Sequence, residues 1–354
     1  MDHGPMTHRS DAASRRDPAS TLMHAEAGEA PDAVTRFLDR NRLVLERLAA
    51  RLRDQPPPFV VTCARGSSDH AATFGKYLIE TMLGVPVASA APSIASVYGA
   101  PVRARGALCI AISQSGRSPD LIASVEAYQR AGAFVVALVN DEGSPLAELA
   151  DAVLPLCAGS ERSVAATKSY IASLAGQVAL AAAWTGDTAL TGRLADLPAQ
   201  MARAFTLDWR AAAAPLMTAR NLFVLGRGYG FAIAQEAALK FKETCGLHAE
   251  AFSAAEVRHG PMAIVGHGFP VLGFATSDPT GDDVRAAMGQ FSDRGAATLL
   301  ADVRGGGLPA IAADPALEPI LLIQTFYRFV NALAVARGID PDAPPHLKKV
   351  TETR

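Results

Sequence analysis

The sequence predicts an α/β protein of two tandem halves, each a doubly wound, mostly parallel sheet flanked by helices. Three observations carry this. Short apolar runs of strand length alternate with helical patterns from residue 59 onward, which is the signature of βαβ units. The pattern restarts after Pro215, and Cys63-Ala64-Arg65-Gly66 resembles Leu225-Gly226-Arg227-Gly228. Gly66 and Gly228 are 162 positions apart, as are Gly84 and Gly246, so the halves read as a duplication. Finally, 354 residues with 49% hydrophobic side chains suffice for two domains, each with its own core.

Each element follows from a local signal. Residues 1–20 are polar, lack the apolar stretch of a secretory signal and read as a disordered tail. A helical pattern begins at Thr21, with Ser20 or Thr21 as cap, and Pro31 restarts it. Residues 33–54 form one amphipathic helix that Gln55-Pro56-Pro57-Pro58 ends. Strands are predicted at 59–64, 85–90, 108–112, 134–139 and 152–156, with helices at 70–83 and 119–131. Two long helices follow, 165–184 and 188–214, with a break expected at Leu197-Pro198. The Ala-rich stretch 170–184 is shorter than a spanning helix, carries Ser173 and Gln177, and reads as a buried core helix. In the second half, strands are predicted at 221–225, 270–274 and 297–300, and helices after Gly228 and at 282–291 and 319–337. Residues 340–345, rich in proline, should run extended and deliver His346-Leu347-Lys348-Lys349. The domain reading is therefore 1–20 tail, 21–210 first domain, 211–338 second domain and 339–354 C-terminal tail.

Composition narrows the function classes. A net charge of −2 with no basic block argues against nucleic acid and against an electrostatic membrane anchor. Cys63, Cys109, Cys157 and Cys245 form no CxxC pair and no zinc spacing, and read as buried thiols of a cytoplasmic protein. No metal or organic cofactor is implied.

Two stretches carry chemistry. Ser113-Gln114-Ser115-Gly116-Arg117-Ser118-Pro119 follows an apolar strand and opens a helix, with Ser118 suited to the N-cap and Pro119 to the first helical position. Such a loop, at the carboxyl end of a parallel strand, offers backbone N–H groups, a helix dipole and hydroxyl donors to an anion. No lysine follows the glycine, so it is no nucleotide P-loop, and the anion is the phosphate of a small metabolite. Ser67-Ser68 occupy a similar strand-to-helix position. The other stretch runs from residue 220 to 260. It places Glu236, Lys240 and Glu243 on one helix face and ends at His259 before Gly260-Pro261. Acid, base and cation together suit proton transfer on a small molecule.

These motifs resemble the sugar isomerase (SIS) family. The carriers are Ala64-Arg65-Gly66-Ser67-Ser68, Ser113-Gln114-Ser115-Gly116, Ser163-Val164-Ala165-Ala166-Thr167-Lys168, and the run from Glu236 to Pro261. Within the family, the nearest likeness is to the isomerase half of glutamine:fructose-6-phosphate aminotransferases. The resemblance implies two tandem SIS domains in a homodimer that binds a sugar phosphate. Ser113, Gln114, Ser115 and Ser118 would hold the phosphate, with Ser68 on the sugar. Ser118 stands where the family usually has threonine, and Arg117 where it often has an acid. Val164 and Ala166 fall in the sugar-contacting loop, Ala166 in place of a usual serine. Glu243 matches the base that moves a proton between C1 and C2, and His259, supplied by the neighbouring subunit, the group that opens the ring. Lys240 and Glu236 match residues near the sugar carbons. Lys349 best matches a tail lysine that forms an imine with the keto sugar, with Lys348 the alternative.

The aminotransferases carry a glutaminase domain with an N-terminal cysteine nucleophile. This chain begins Met1-Asp2-His3 and has no cysteine before Cys63, so the resemblance implies the reverse direction: deamination of glucosamine-6-phosphate to fructose-6-phosphate and ammonia. The tail, residues 345–352, resembles such deaminases. A fructosamine-phosphate deglycase and a galactosamine-6-phosphate deaminase share the implied architecture. A sensor without turnover would lack Glu243 and His259, and both are present.

Overall fold

A computed structural model describes residues 16–347 and Lys349. The chain enters through a 3₁₀ turn (Pro18–Ser20), then α1 (Leu22–Gly28) and α2 (Ala30–Asp54). Thr21 caps α1 by accepting the His24 N–H at 3.1 Å. The expected disordered tail is thus corrected at its end. Arg16 pairs with Asp342 at 2.8 Å, and Pro18 to Ser20 are ordered. Residues 1–15 lie outside the described residues.

The first half comprises β1 (Val60–Cys63), α3 (Ser67–Leu83), β2 (Val87–Ser89), α4 (Ser93–Ser96), β3 (Leu108–Ser113), α5 (Pro119–Arg130), β4 (Phe134–Val139), α6 (Pro145–Leu149) and β5 (Ala152–Pro155). The five strands pair in parallel in the order β2-β1-β3-β4-β5. β3 and β4 are almost wholly apolar and buried, because a parallel sheet is covered on both faces. The strand order reverses between β1 and β3, so the carboxyl ends of these two strands flank the crevice where such sheets take ligands.

α7 (Lys168–Thr185) is buried nearly all round, as its sequence implied. It packs against α2 and α3. A Cβ on Gly75 would meet Gln177 Oε1 at 1.5 Å, so only glycine lets α3 approach there. α8 (Thr188–Ala204) runs through Pro198 without the expected break. Its buried face, Leu190, Leu194, Leu197 and Met201, offsets the roughly 3 kcal/mol that an interior proline costs. The helix also stops ten residues before the expected Ala214. There Trp209 turns into the core, donates its indole N–H to the Pro309 carbonyl at 2.8 Å and packs on Phe274 and Phe329.

The second half comprises β6 (Asn221–Gly226), α9 (Tyr229–Cys245), β7 (His248–Ser253), β8 (Pro270–Ala275), α10 (Pro279–Asp293), β9 (Ala297–Asp302) and α11 (Glu318–Ala336). Its four parallel strands run β7-β6-β8-β9, repeating the first four positions of the other sheet. The duplication read from two pairs of glycines extends to the backbone. Gly66 has φ 55° and ψ −131°, and Gly228 has φ 56° and ψ −131°. Each caps a 17-residue helix that ends at a left-handed glycine, Gly84 or Gly246. α3 and α9 pack on each other and join the halves. α11 is apolar and long enough to cross a membrane, but 78% of it is buried in the core. The C-terminal stretch makes turns at 341–342 and 345–346 rather than running extended. The Asp342 carboxylate, which accepts the Leu22 and Met23 N–H groups, pulls it back onto α1.

Candidate active site

Five segments converge on one cavity of about 360 Å³ at the crevice between β1 and β3. The first is the β1–α3 turn. Gly66, in a left-handed conformation, lets the backbone reverse so that Ser67 and Ser68 open α3 facing the cavity. Arg65 also lines the wall, and its guanidinium bonds the buried Asp120 carboxylate through Nε at 2.9 Å.

The second segment is the serine loop between β3 and α5. Gly116 has φ 63°, and a Cβ there would sit 2.2 Å from Ser144 Oγ. The Ser113 hydroxyl accepts the Gly116 N–H at 2.9 Å, which curls the loop around its own backbone. Ser118 occupies the N-cap of α5, yet its hydroxyl makes no capping hydrogen bond. It lines the cavity with Ser113, Gln114 and Ser115, so hydroxyls and a helix N-terminus face one space. Arg117 turns away to pair with Asp141 at 2.7 Å.

The third wall is the loop before α7, which presents Val164 and Ala166. Two carboxylates hold it from behind. Glu26 of α1 accepts the Arg162 and Ser163 N–H groups at 2.5 and 3.1 Å. Glu161, fully buried, accepts the Thr167 and Ser169 N–H groups at 2.9 and 3.2 Å.

α9 supplies the fourth wall. Lys240 and Glu243 line the cavity, and the Lys240 ammonium donates to Glu243 at 2.6 Å. Glu236 lies one layer deeper than a substrate-binding position. It is fully buried and takes Ser67, His70 and Tyr327 at 3.1, 2.9 and 3.0 Å, with Lys240 at 3.2 Å. Burial alone would push Glu236 up, but the Lys240 charge and the His70 and Ser67 hydrogen bonds bring it down to about 2. Burial likewise opposes the charge on Lys240, and Glu236 and Glu243 overcome it, raising the lysine above its ordinary value. Lys240 is therefore a fixed cation, and Glu243 presents its carboxylate at that cation's edge.

The C-terminal tail closes the cavity with Leu347 and Lys349. The Lys349 ammonium donates to the Ser163 carbonyl at 2.7 Å and to Glu161 at 3.3 Å. Lys348 lies outside the described residues. His259 ends a 3₁₀ turn (Glu256–Arg258), is exposed, and does not line the cavity of its own chain. Sequence reading missed Arg65, His70, Glu161 and Tyr327 as parts of this assembly. Arg65 alone left a trace, since Arg227 repeats it in the second half.

The family model for the SIS domain matches residues 58–183 and 216–301. The chain belongs to the SIS family. A glutamine–fructose-6-phosphate aminotransferase (isomerizing) of Aeropyrum pernix is 36% identical over 307 residues, covering 80% of this chain and 49% of that protein. Its counterpart from Gluconobacter oxydans is 32% identical, with 92% and 58% covered. This SIS chain thus spans about half the length of the aminotransferases it matches. Among solved structures, a Silicibacter pomeroyi protein provisionally named a phosphosugar isomerase is 45% identical, with a TM-score of 0.86 over 91% of this chain and all of that one. A glucosamine-6-phosphate deaminase of Thermotoga maritima, 21% identical, shares the SIS fold at a TM-score of 0.75 over 94% and 100% of the two chains.

Proposed function

We propose that the protein is a glucosamine-6-phosphate deaminase that isomerises the aminosugar and releases ammonia. The observation that carries this reading is the convergence of the serine loop, the Glu243 carboxylate and the Lys349 amine on one cavity. The phosphate seats on Ser113, Gln114, Ser115 and Ser118 at the N-terminus of α5. Ser68 and the loop of Val164 and Ala166 orient the sugar chain. His259 of a second subunit opens the ring, which makes the working unit a homodimer. Glu243 then removes the C2 proton and returns it to C1, because one carboxylate edge can serve two adjacent carbons. Lys240 stabilises the oxygen that gains charge, and Glu236 acts through Lys240 and Ser67. The product is a C2 imine. Water adds to it and ammonia departs, leaving fructose-6-phosphate, with no metal or redox cofactor needed for the balance.

The direction toward ammonia is compatible with the fold, which a solved deaminase shares over its whole length. The two SIS domains take residues 21–210 and 211–338, with 339–354 as the tail that brings Lys349. Incubating the purified protein with glucosamine-6-phosphate and measuring ammonia and fructose-6-phosphate tests the reading. Turnover of a fructosamine-phosphate conjugate alone would make it a deglycase, and preference for galactosamine-6-phosphate would change the epimer.

A further inference from the structure

We propose that Glu161 is a positioning residue that tethers Lys349 in the cavity and couples docking of the tail to the wall loop of residues 162–167. The proposal rests on the reading above that Lys349 works in this cavity. Glu161 does not line the cavity, and its side chain is fully buried, so any effect on substrate passes through its partners. Those partners come from two places far apart in the chain, the entry to α7 and the C-terminal tail. Its Oε1 accepts the Thr167 and Ser169 N–H groups at 2.9 and 3.2 Å, fixing the entry to α7. Its Oε2 accepts the Ser169 hydroxyl at 2.6 Å and the Lys349 ammonium at 3.3 Å. The same ammonium donates to the Ser163 carbonyl at 2.7 Å, so loop and tail share one proton donor.

The charges nearby make Lys349 the natural counter-ion. Lys168, the adjacent cation of α7, is taken by Glu29 at 2.5 Å. Glu26, the other carboxylate behind the loop, is occupied by the Arg162 and Ser163 N–H groups. Burial would raise Glu161, and Lys349 is the leading influence that lowers it. A carboxylate buried without a cation is costly, so Glu161 draws the tail inward and an undocked tail leaves the loop weakened. The amine is thereby set beside Val164 and Ala166, on the wall that meets the sugar.

Glu161→Gln removes the tether, and the Ser169 hydroxyl, which can rotate, then accepts from the new NH₂ instead of donating to Oε2. Glutamine keeps an oxygen for the Thr167 and Ser169 amides, while its NH₂ cannot accept from Lys349. Ammonia release from glucosamine-6-phosphate should lose about tenfold in kcat with KM little changed, and tryptic cleavage after Lys349 should quicken several-fold at unchanged Tm. In a Lys349→Met background the same change should cost less than about twofold more, since the partner is already gone. Losses that multiply, or a tail cleaved at the original rate, would overturn the tether. Should Glu161→Gln not fold, Lys349→Met alone should speed hydrogen exchange at the Thr167 and Ser169 amides, and unchanged exchange refutes the coupling. If the unaltered protein releases no ammonia, the reaction reading fails, while tail cleavage and amide exchange still decide the tether.

Discussion

Replacing Lys240 by methionine is the sharpest probe of the buried charge cluster. The ammonium lies 3.2 Å from Glu236 and 2.6 Å from Glu243, and Glu236 has no access to solvent. Lowering a carboxyl from its ordinary 4.5 to about 2 corresponds to about 3 kcal/mol of stabilisation of the charged form. Methionine fills similar space but leaves Glu236 with hydrogen bonds and no adjacent ammonium, a change that typically costs about 3–5 kcal/mol. The sign with pH follows from the depressed value. In the native protein the Glu236 contribution is fully present above about pH 4.5 and is lost as pH falls toward 2. In the Lys240→Met variant burial dominates, the carboxyl titrates upward, and the penalty eases as it takes a proton. Urea denaturation at pH 7.5 and 4.5 should therefore show the variant about 3 kcal/mol less stable at the higher pH and clearly closer to the native protein at the lower. Adding Glu236→Gln should recover most of the loss. A cost below about 1 kcal/mol at pH 7.5, or one independent of pH, would refute the account of a cation that neutralises Glu236.

Three further outcomes follow from the site. Glu243→Gln should slow exchange of the C2 proton into D₂O at least about 100-fold while fructose-6-phosphate still binds in calorimetry, and unchanged exchange would remove Glu243 from its role. Gly116→Ala should destabilise by about 2 kcal/mol or more and raise KM, because φ 63° is strained for alanine and its Cβ would meet Ser144; a native urea midpoint would disprove the required turn. Mixing inactive Glu243→Gln and His259→Asn subunits should restore activity in the heterodimer, which carries one site with both groups intact, whereas no recovery would place His259 outside a shared site.

Sequence reading succeeded where the signal was local. The run from Leu108 to Ile112, the Ser118-Pro119 helix start and the i, i+4, i+7 spacing on α9 each encode their structure within a few residues. β7 escaped because it is an edge strand whose residues, from His248 to Ser253, are mostly solvent-facing or half-buried, with no apolar run or alternation. The start of α3 was placed three residues late, since its cap is the conformation of Gly66 rather than a side chain. Glu161 and His70 were invisible for another reason. His70 meets Glu236 across 166 positions, and Lys349 meets Glu161 across 188, so neither pairing leaves a periodic trace.

The cavity draws its serine loop from the front half and the helix bearing Lys240 and Glu243 from the rear half, clasped together by α3 against α9. Neither half alone could therefore assemble this cavity, and separating them would leave the serine loop and Glu243 on different molecules. The mirror position of Glu243 in the front half is Thr81, whose hydroxyl is spent on Tyr77 and Tyr229. Of the two equivalent positions, one thus carries a carboxylate facing the cavity and the other a hydroxyl bonded to its neighbours.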